Sequence, residues 1–228
     1  MKKLAVSQSN YIPWKGYFDM IAAVDEFVIL DDVQFTKNDW RNRNIIKTPL
    51  GPSWLSIPVG KKINRKIFEV MLEVSWQEKH WKLIEDNYKK AKYFKDISHW
   101  LKPLYLDQEY LSLSEVNFHF INAICSYLRI KTKIYDSRDF TLVDGRSERL
   151  IDLCKQLGVA QYFSGPSAKD YIDQKLFNES NINICWMNYN DYPIYPQLWG
   201  DFEHSLSILD LLFNCGAKSF EYMLNTQS

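Results

Sequence analysis

The first 32 residues contain two short apolar segments separated by a helical pattern, and this spacing strongly restricts the fold. Residues 4–8, LAVSQ, and 26–32, EFVILDD, have the composition of buried β-strands. Between them, apolar residues recur at positions 17, 18, 20, 21 and 24, which is the spacing of one helix face. A strand, a helix and a strand in so short a stretch form a βαβ unit, which requires two parallel strands. The chain therefore predicts an α/β fold with a Rossmann-like start.

The rest of the chain adds a hairpin, a helix-rich middle and a second alternating region. Two extended segments flank PLGP at residues 49–52, which predicts an inserted β-hairpin. Residues 75–94 and 113–130 have helical patterns, and helices alternate with short apolar strands again over 146–216. We predict one α/β domain over residues 1–228 with a mostly parallel sheet, in which the middle, 75–130, is a candidate helical subdomain.

The composition excludes some classes of function. Lysine and arginine total 28, and aspartate and glutamate also total 28, so the zero net charge gives no support for bulk nucleic-acid binding but leaves a local basic patch open. The four cysteines form no CxxC or zinc-like pair and are expected to be buried, reduced thiols. Because the N-terminal apolar stretch is too short for a signal peptide and no apolar run approaches about 20 residues, we expect a cytoplasmic protein without a membrane span.

Four segments rich in polar and aromatic residues follow predicted strands. Ligands of open α/β sheets bind beyond the carboxyl ends of the strands, so we expect segments 8–17, 31–43, 164–171 and 192–204 to converge at one edge of the sheet. Aromatic residues make up 15% of the chain, and such rings line sugar and nucleobase sites as well as cores. The candidate substrate-binding residues are Gln8, Tyr11, Trp14, Gly16, Tyr17, Gln34, Lys37, Arg41, Arg43, Ser164, Gly165, Lys169, Tyr171, Tyr195 and Gln197.

Several of these residue types suit an anionic ligand. Gly16 permits close approach of a ligand or backbone, and a helix that starts there directs free N–H groups at an anion. Arg41 and Arg43 share one face of an extended segment, and a guanidinium forms paired hydrogen bonds with phosphate or carboxylate. Lys169 lies in SGPSAKDY, a predicted helix start that lacks the spacing of a P-loop. Each segment also has a purely structural interpretation: an aromatic-packed turn, a solvated hairpin face or a capped helix.

Asp31, Asp32 and His204 are the candidate catalytic residues. The two aspartates end the second predicted strand, where a carboxylate pair can hold a metal, bind an amine or act as a base. A helix cap or a solvated turn is the structural alternative. His204 ends the fourth polar segment and is the best candidate for a general base among the histidines, although a position at a helix N-terminus explains it equally well. The residues predict no metal site and identify no cofactor.

Three long segments resemble signatures of the WbqC-like proteins. They are residues 7–59, 162–173 and 195–216, and they occur in the same order as in that family. The resemblance implies a bacterial cytoplasmic protein encoded among genes for O-antigen and other surface polysaccharides. The resemblance implies a pathway but no particular reaction, because the family name is not tied to one.

Such gene clusters make nucleotide-activated sugars, including amino sugars whose amine is acylated or aminoacylated. The resemblance therefore implies a transferase whose partners are a nucleotide-linked amino sugar and an acyl or aminoacyl donor. In this interpretation Arg41, Arg43 and Lys169 face the diphosphate, and Asp31, Asp32 or His204 accepts the amine proton. Two alternatives stay open: a non-catalytic sugar-nucleotide binding or scaffold protein, and an adenylate-forming nucleotidyltransferase or ligase. The sequence also leaves a homo-oligomer open.

The ligase alternative comes from a second, looser resemblance confined to the first βα connection. Residues 14–17, WKGY, stand where nucleotidyltransferases and pantothenate-synthetase-like ligases have HxGH. Gly16 matches this motif, whereas Trp14 and Tyr17 replace the two histidines that stabilise an ATP phosphate in the transition state. The resemblance implies a related fold for this unit, and the replacement of both histidines argues against adenylate chemistry.

Overall fold

A five-stranded parallel sheet forms the centre of the computed structural model, which describes residues 1–72 and 76–224. The strands of the chain are β1 (Lys3–Ser7), β2 (Glu26–Ile29), β3 (Arg43–Thr48), β4 (Gly51–Ser56), β5 (Lys133–Asp136), β6 (Gln161–Ser164) and β7 (Asn183–Trp186). The sheet has the order β5-β2-β1-β6-β7, and each neighbouring pair is parallel. Strands β3 and β4 form a separate antiparallel hairpin. The predicted fold class, including the inserted hairpin, is confirmed.

The helices lie between the strands and dominate the middle of the chain. They are α1 (Lys15–Ala22), α2 (Gln77–Tyr88), α3 (Phe94–Leu106), α4 (Leu113–Tyr127), α5 (Arg146–Gln156), α6 (Gln174–Glu179) and α7 (Ile208–Cys215). Side chains of α2, α3 and α4 pack in the same hydrophobic cluster as those of α1 and α7. The division into one domain with a helical subdomain stays a prediction. Within residues 1–72 and 76–224, no helix has the length and apolar character that crossing a bilayer requires.

Three features depart from the sequence-based expectation. Strand β5 is not predicted because its four residues, KIYD, lack the continuous apolar run of a buried strand, and it lies at the edge of the sheet. Residues 75–94 are predicted as one helix, whereas α2 ends at Tyr88 and α3 begins at Phe94; position 75 lies outside the described residues. Helix α3 continues through Pro103, a residue that usually breaks helices.

Three of the four cysteines are buried, as the sequence predicts. Cys125, Cys154 and Cys215 are buried, Cys185 is half-buried, and none is in a disulfide. Burial raises the pKa of the Cys125 and Cys154 thiols to about 12, because a thiolate is disfavoured in an apolar surrounding. These side chains therefore act as small apolar groups in the core.

The strand order contains a topological switch between β1 and β6. From β1 the chain crosses to β2 on one side, whereas β6 pairs with the opposite edge of β1 and leads outward to β7. Connections that leave neighbouring strands in opposite directions open a crevice beyond the carboxyl ends of those strands. The fold therefore places a ligand-sized crevice between the segments that follow Ser7 and Ser164.

A buried polar chain joins the loop after β1 to the helices around it. The Tyr11 hydroxyl lies 2.9 Å from His80 Nδ1 and 2.7 Å from the Tyr105 hydroxyl, and His80 Nε2 lies 3.2 Å from the Ser56 carbonyl oxygen. Because a carbonyl only accepts, Nε2 carries the hydrogen and Nδ1 accepts from Tyr11. Tyr105 in turn donates to Tyr11. The neutral imidazole thus connects β4, α2, α3 and the first loop with every polar atom paired.

We predict that His80 makes the protein less stable in acid. Burial lowers the pKa of the His80 imidazole from 6.5 to about 4, so the unfolded chain binds a proton in this range and the folded chain does not. The contribution of the neutral imidazole to the free energy of unfolding is complete above pH 6.5 and is lost as the pH falls towards 4, by roughly 3 kcal/mol in total. Urea unfolding over this pH range measures it.

The variant for this test is His80→Asn, whose amide keeps one donor and one acceptor and does not titrate. The difference in unfolding free energy between wild type and variant is expected to shrink as the pH falls through the window. His99→Asn, at an exposed histidine, is the matched control. A wild-type-minus-variant difference that stays constant with pH would contradict the prediction.

Candidate functional site

A cavity of about 770 Å³ lies beyond the carboxyl ends of β1, β2 and β6. Ser7, Leu30 and Ser164, at or directly after the ends of these strands, form part of its wall. The remaining wall comes from the strands themselves, the loop after β1, helix α1, residues 33–41, the start of α5, the segment after β6 and one residue after β7. A volume of this size is typical of small-molecule sites, which span roughly 300–1,000 Å³. The cavity occupies the crevice at the topological switch.

Eight of the predicted substrate-binding residues line this cavity. They belong to the segments 8–17, 31–43 and 164–171, three of the four that were expected to converge. The structure brings them to one cavity, and their role in binding stays a prediction. The eight are Gln8, Trp14, Tyr17, Gln34, Arg41, Ser164, Gly165 and Tyr171.

The fourth segment, 192–204, lies apart from the cavity lining, which corrects the expected convergence. The Tyr195 hydroxyl donates to Asp210 Oδ2 at 3.0 Å, and Gln197 Oε1 accepts from Lys47 Nζ at 2.7 Å. Both residues therefore belong to a buried polar cluster between the hairpin and α7. Burial raises the pKa of Asp210 to about 6, against the opposing effect of its tyrosine partners.

Three predicted basic residues also lie outside the cavity lining. Lys37 is exposed. The Arg43 guanidinium lies 4.1 Å from the Trp54 ring centroid on the hairpin, and the Lys169 ammonium lies 5.6 Å from an indole of β7. Strand β3 begins at Arg43, so Arg41 precedes it and the face that the two arginines were expected to share does not form.

Asp31 is completely buried and holds the loop after β1 in place. Its Oδ1 accepts from the Ser9 N–H at 2.9 Å, and its Oδ2 accepts from the Ser114 hydroxyl of α4. Asn117, on the same helix, donates to Ser9 Oγ and to the Arg41 carbonyl oxygen, both at 2.9 Å. Burial raises the pKa of Asp31, and its hydrogen bonds oppose the increase. These contacts make Asp31 a positioning residue for two parts of the cavity wall.

The other catalytic candidates and Tyr11 do not reach the cavity lining. The Asp32 carboxylate pairs with Lys66 Nζ at 2.5 Å. His204 is exposed, and its ring packs edge-on against Phe202 with 4.5 Å between centroids. Tyr11 is enclosed in the polar chain with the buried histidine of α2.

Arg41 brings a positive charge to the cavity lining. Its guanidinium donates to Asn10 Oδ1 and lies 3.8 Å from the Asp39 carboxylate, and its buried Nε has no hydrogen-bond partner. Desolvation lowers the pKa of Arg41, yet an arginine remains charged at any physiological pH. The site therefore contains a partly desolvated cation whose charge is balanced in part by Asp39.

Arg146 and Arg149 also line the cavity, although neither is among the residues predicted from the sequence. They lie at the start of α5, which begins at the cavity because the unpredicted strand β5 returns the chain to this edge of the sheet. Gly145 precedes them with φ 92°, a backbone conformation that favours glycine. Basic residues at a helix N-terminus oppose the helix dipole, so RSER at the predicted helix start was a usable signal.

The lining has an uneven charge. Its arginines are Arg41, Arg146 and Arg149, and among its described residues there is no aspartate, glutamate or histidine. No group of three metal-ligating side chains occurs within 1–72 and 76–224. The arrangement therefore favours an anionic ligand.

Trp14 forms an aromatic wall of the cavity together with Tyr189. Their ring centroids are 5.2 Å apart at 70°, and Tyr192 contacts the same indole from outside the cavity at 5.7 Å. Gly16 does not line the cavity; it provides the space for the indole, because a Cβ there would lie 2.7 Å from Trp14 Cε2. The proximity of Pro13, tryptophan and glycine in this loop thus places the apolar Trp14 indole in the wall of the cavity.

We predict that Gly16→Ala displaces the Trp14 indole and destabilises the protein by roughly 1–3 kcal/mol, as overpacking does. This net loss remains after the gain of about 1 kcal/mol that alanine brings to a helix. The matched control is Gly165→Ala, whose Cβ would contact the Tyr189 ring at an ordinary 3.8 Å. Urea unfolding and near-UV circular dichroism measure both effects. A Gly16→Ala protein as stable as wild type, with an unchanged aromatic spectrum, would refute this packing role.

Two comparisons with known proteins place the chain among relatives. The uncharacterized protein Rv1507c of Mycobacterium tuberculosis is 50% identical to it over 226 residues, which cover 98% of each chain. The profile of the WbqC-like protein family matches residues 8–222, a range that includes the cavity segments from Gln8 to Tyr189. The chain therefore belongs to the WbqC-like protein family, as the three sequence signatures indicated.

Proposed function

We propose that the protein binds a nucleotide-linked amino sugar in this cavity and transfers an acyl or aminoacyl group to the sugar nitrogen. The reaction would serve the assembly of bacterial O-antigen or another surface polysaccharide, in the cytoplasm, where nucleotide-linked sugars are made. The observation that carries the proposal is the combination of three arginines, a described lining without carboxylates and an aromatic wall in one cavity.

Each part of a nucleotide-linked sugar has a suitable counterpart in the cavity. The diphosphate carries negative charge, which guanidinium groups bind through paired, charge-assisted hydrogen bonds. The helix α5 starts at the wall, so its free N–H groups add to the attraction. A base or sugar ring presents flat faces that suit Trp14 and Tyr189. Polar side chains such as Gln8 and Ser164 can bind sugar hydroxyls.

Transfer to nitrogen requires a neutral amine. The amine attacks the carbonyl carbon of an activated donor such as a thioester; the C–N bond forms, the C–S bond breaks, and the amine proton leaves with the thiolate. Neighbouring positive charges lower the pKa of an amine, so an arginine of the lining that does not pair with the diphosphate increases the neutral fraction without a carboxylate base. The same guanidinium can stabilise the oxyanion that develops on the donor carbonyl. This route does not depend on Asp31, Asp32 or His204.

The described lining without an acidic or histidine side chain also favours a second candidate function. A protein that binds a nucleotide-linked sugar and presents it to a partner enzyme needs the same anion-binding wall and no general base. The adenylate-forming alternative receives no comparable support, since Trp14 and Tyr17 line the cavity in place of the two histidines.

We predict that Arg41→Gln weakens the binding of UDP- or dTDP-linked amino sugars by about tenfold or more, because a charge-assisted hydrogen bond is lost. The matched control is Lys37→Gln, which removes the same charge from the same polar segment outside the cavity lining and should bind as wild type does. Isothermal titration calorimetry measures the affinities. Urea unfolding of both variants separates a loss of binding from a loss of folding.

Mass spectrometry of the sugar after incubation with acyl-CoA or aminoacyl donors then identifies the chemistry. An increase in mass by the acyl or aminoacyl group supports the transferase. Binding with no change in mass favours the presenting protein, and pyrophosphate release from ATP favours the ligase. If no nucleotide-linked sugar binds, the proposed function is wrong.

A further inference from the structure

Arg146 and Arg149 are two like charges at the same helix N-terminus, an arrangement that a bound anion would stabilise. Side chains three residues apart are neighbours on a helix, and like charges at this spacing repel each other by about 0.2–0.5 kcal/mol. Both also lie at the N-terminal end of α5, where the helix dipole disfavours cations. In the part of the chain that the structure describes, neither forms an ion pair with a carboxylate. Bound phosphate oxygens would reverse each of these unfavourable terms.

The surroundings of these arginines complete an anion site. Tyr171 stands beside them, with its ring centroid 6.0 Å from the Arg146 guanidinium carbon. Arg149 Nε donates to the Val143 carbonyl at 3.0 Å, which fixes the base of its guanidinium against the preceding loop. Gly165, on the facing wall, presents no side chain to this region. An anion held by α5 therefore lies within the same cavity as the Trp14 wall.

The residues that line this region offer no carboxylate to a divalent cation. Proteins hold Mg²⁺ through one or two carboxylates together with the phosphates of the substrate. Of the nearby aspartates, Asp31 is held by two serines, Asp32 by Lys66 and Asp39 by Arg41. The Glu148 carboxylate packs against Gly145 and does not belong to the lining. Three guanidinium groups would also repel the cation. In many proteins Mg²⁺ neutralises the charge of a bound diphosphate. In this cavity the arginines can neutralise it.

We infer that the cavity binds the diphosphate group of its ligand through Arg146 and Arg149 and without a divalent cation. The inference rests on the proposed function, because it takes the ligand to be nucleotide-linked. It assigns the diphosphate to the start of α5 and leaves the aromatic wall of Trp14 and Tyr189 for a ring of the ligand.

The test measures binding of UDP, dTDP, GDP and inorganic pyrophosphate by calorimetry, with either EDTA or MgCl₂ present. At least one of these ligands is expected to bind in EDTA, with an affinity within about twofold of that in MgCl₂. Arg146→Gln should weaken this binding by about tenfold or more, since it removes a charge-assisted pair of hydrogen bonds. Arg146→Lys, which keeps the charge and loses the paired geometry, should fall between the two.

Arg138→Gln is the matched control, because Arg138 is an exposed arginine outside the cavity lining that pairs with Asp136. It removes the same charge and should bind as wild type does. Binding that requires MgCl₂, or an Arg146→Gln protein that binds as tightly as wild type, would overturn the inference and leave the proposed function standing. If none of the ligands, nor any nucleotide-linked amino sugar, binds with or without Mg²⁺, the proposed function fails as well.

Discussion

The parallel pairing of β1 with β6 is the constraint on which the candidate site depends. Leu4 lies opposite Tyr162 and Ala5 opposite Phe163, so two segments from distant parts of the chain end at the same edge of the sheet. Because β2 and β7 continue the sheet in opposite directions, the connections diverge and the crevice between them stays open. Neither loop carries a complete binding motif of its own. The cavity is a property of the strand order, which brings the two incomplete halves together.

Buried hydrogen bonds then give the crevice a defined shape. Asp31 binds the loop after β1 and helix α4 at once, and Asn117 extends this connection to the Arg41 carbonyl. A buried carboxylate is costly unless its oxygens are paired, so the position tolerates little variation in geometry. A carboxylate at the end of a parallel strand is also a common place for catalysis. A structural and a catalytic aspartate have the same sequence pattern at this position. Only the hydrogen-bond partners of the carboxylate oxygens distinguish the two roles.

The sequence predicted those parts of the structure that depend on local patterns. The βαβ unit follows from apolar periodicity and the hairpin from the turn at 49–52, and both need only neighbouring residues. Strand β5 is too short and too polar to be recognised without its partner β2, and the positions of Arg146 and Arg149 depend on it. Residues 192–204 follow β7 at a distance that lets the chain leave the sheet edge, whereas Tyr189, three residues after the strand, still reaches the cavity. In each case the prediction failed because it depends on how distant parts of the chain pack together, which local sequence patterns do not show.

The whole-chain charge of zero and the arginine-rich cavity are compatible because electrostatic function depends on local fields. Desolvation of the half-buried Arg41 strengthens the field of its guanidinium relative to its field in water. In the proposed function, that field would attract the diphosphate and neutralise it in place of a metal ion. Any arginine left unpaired by the diphosphate would favour the neutral form of a nearby amine. Under this proposal neither task needs an acidic side chain in the lining, which is consistent with the structural contacts of Asp31 and Asp32.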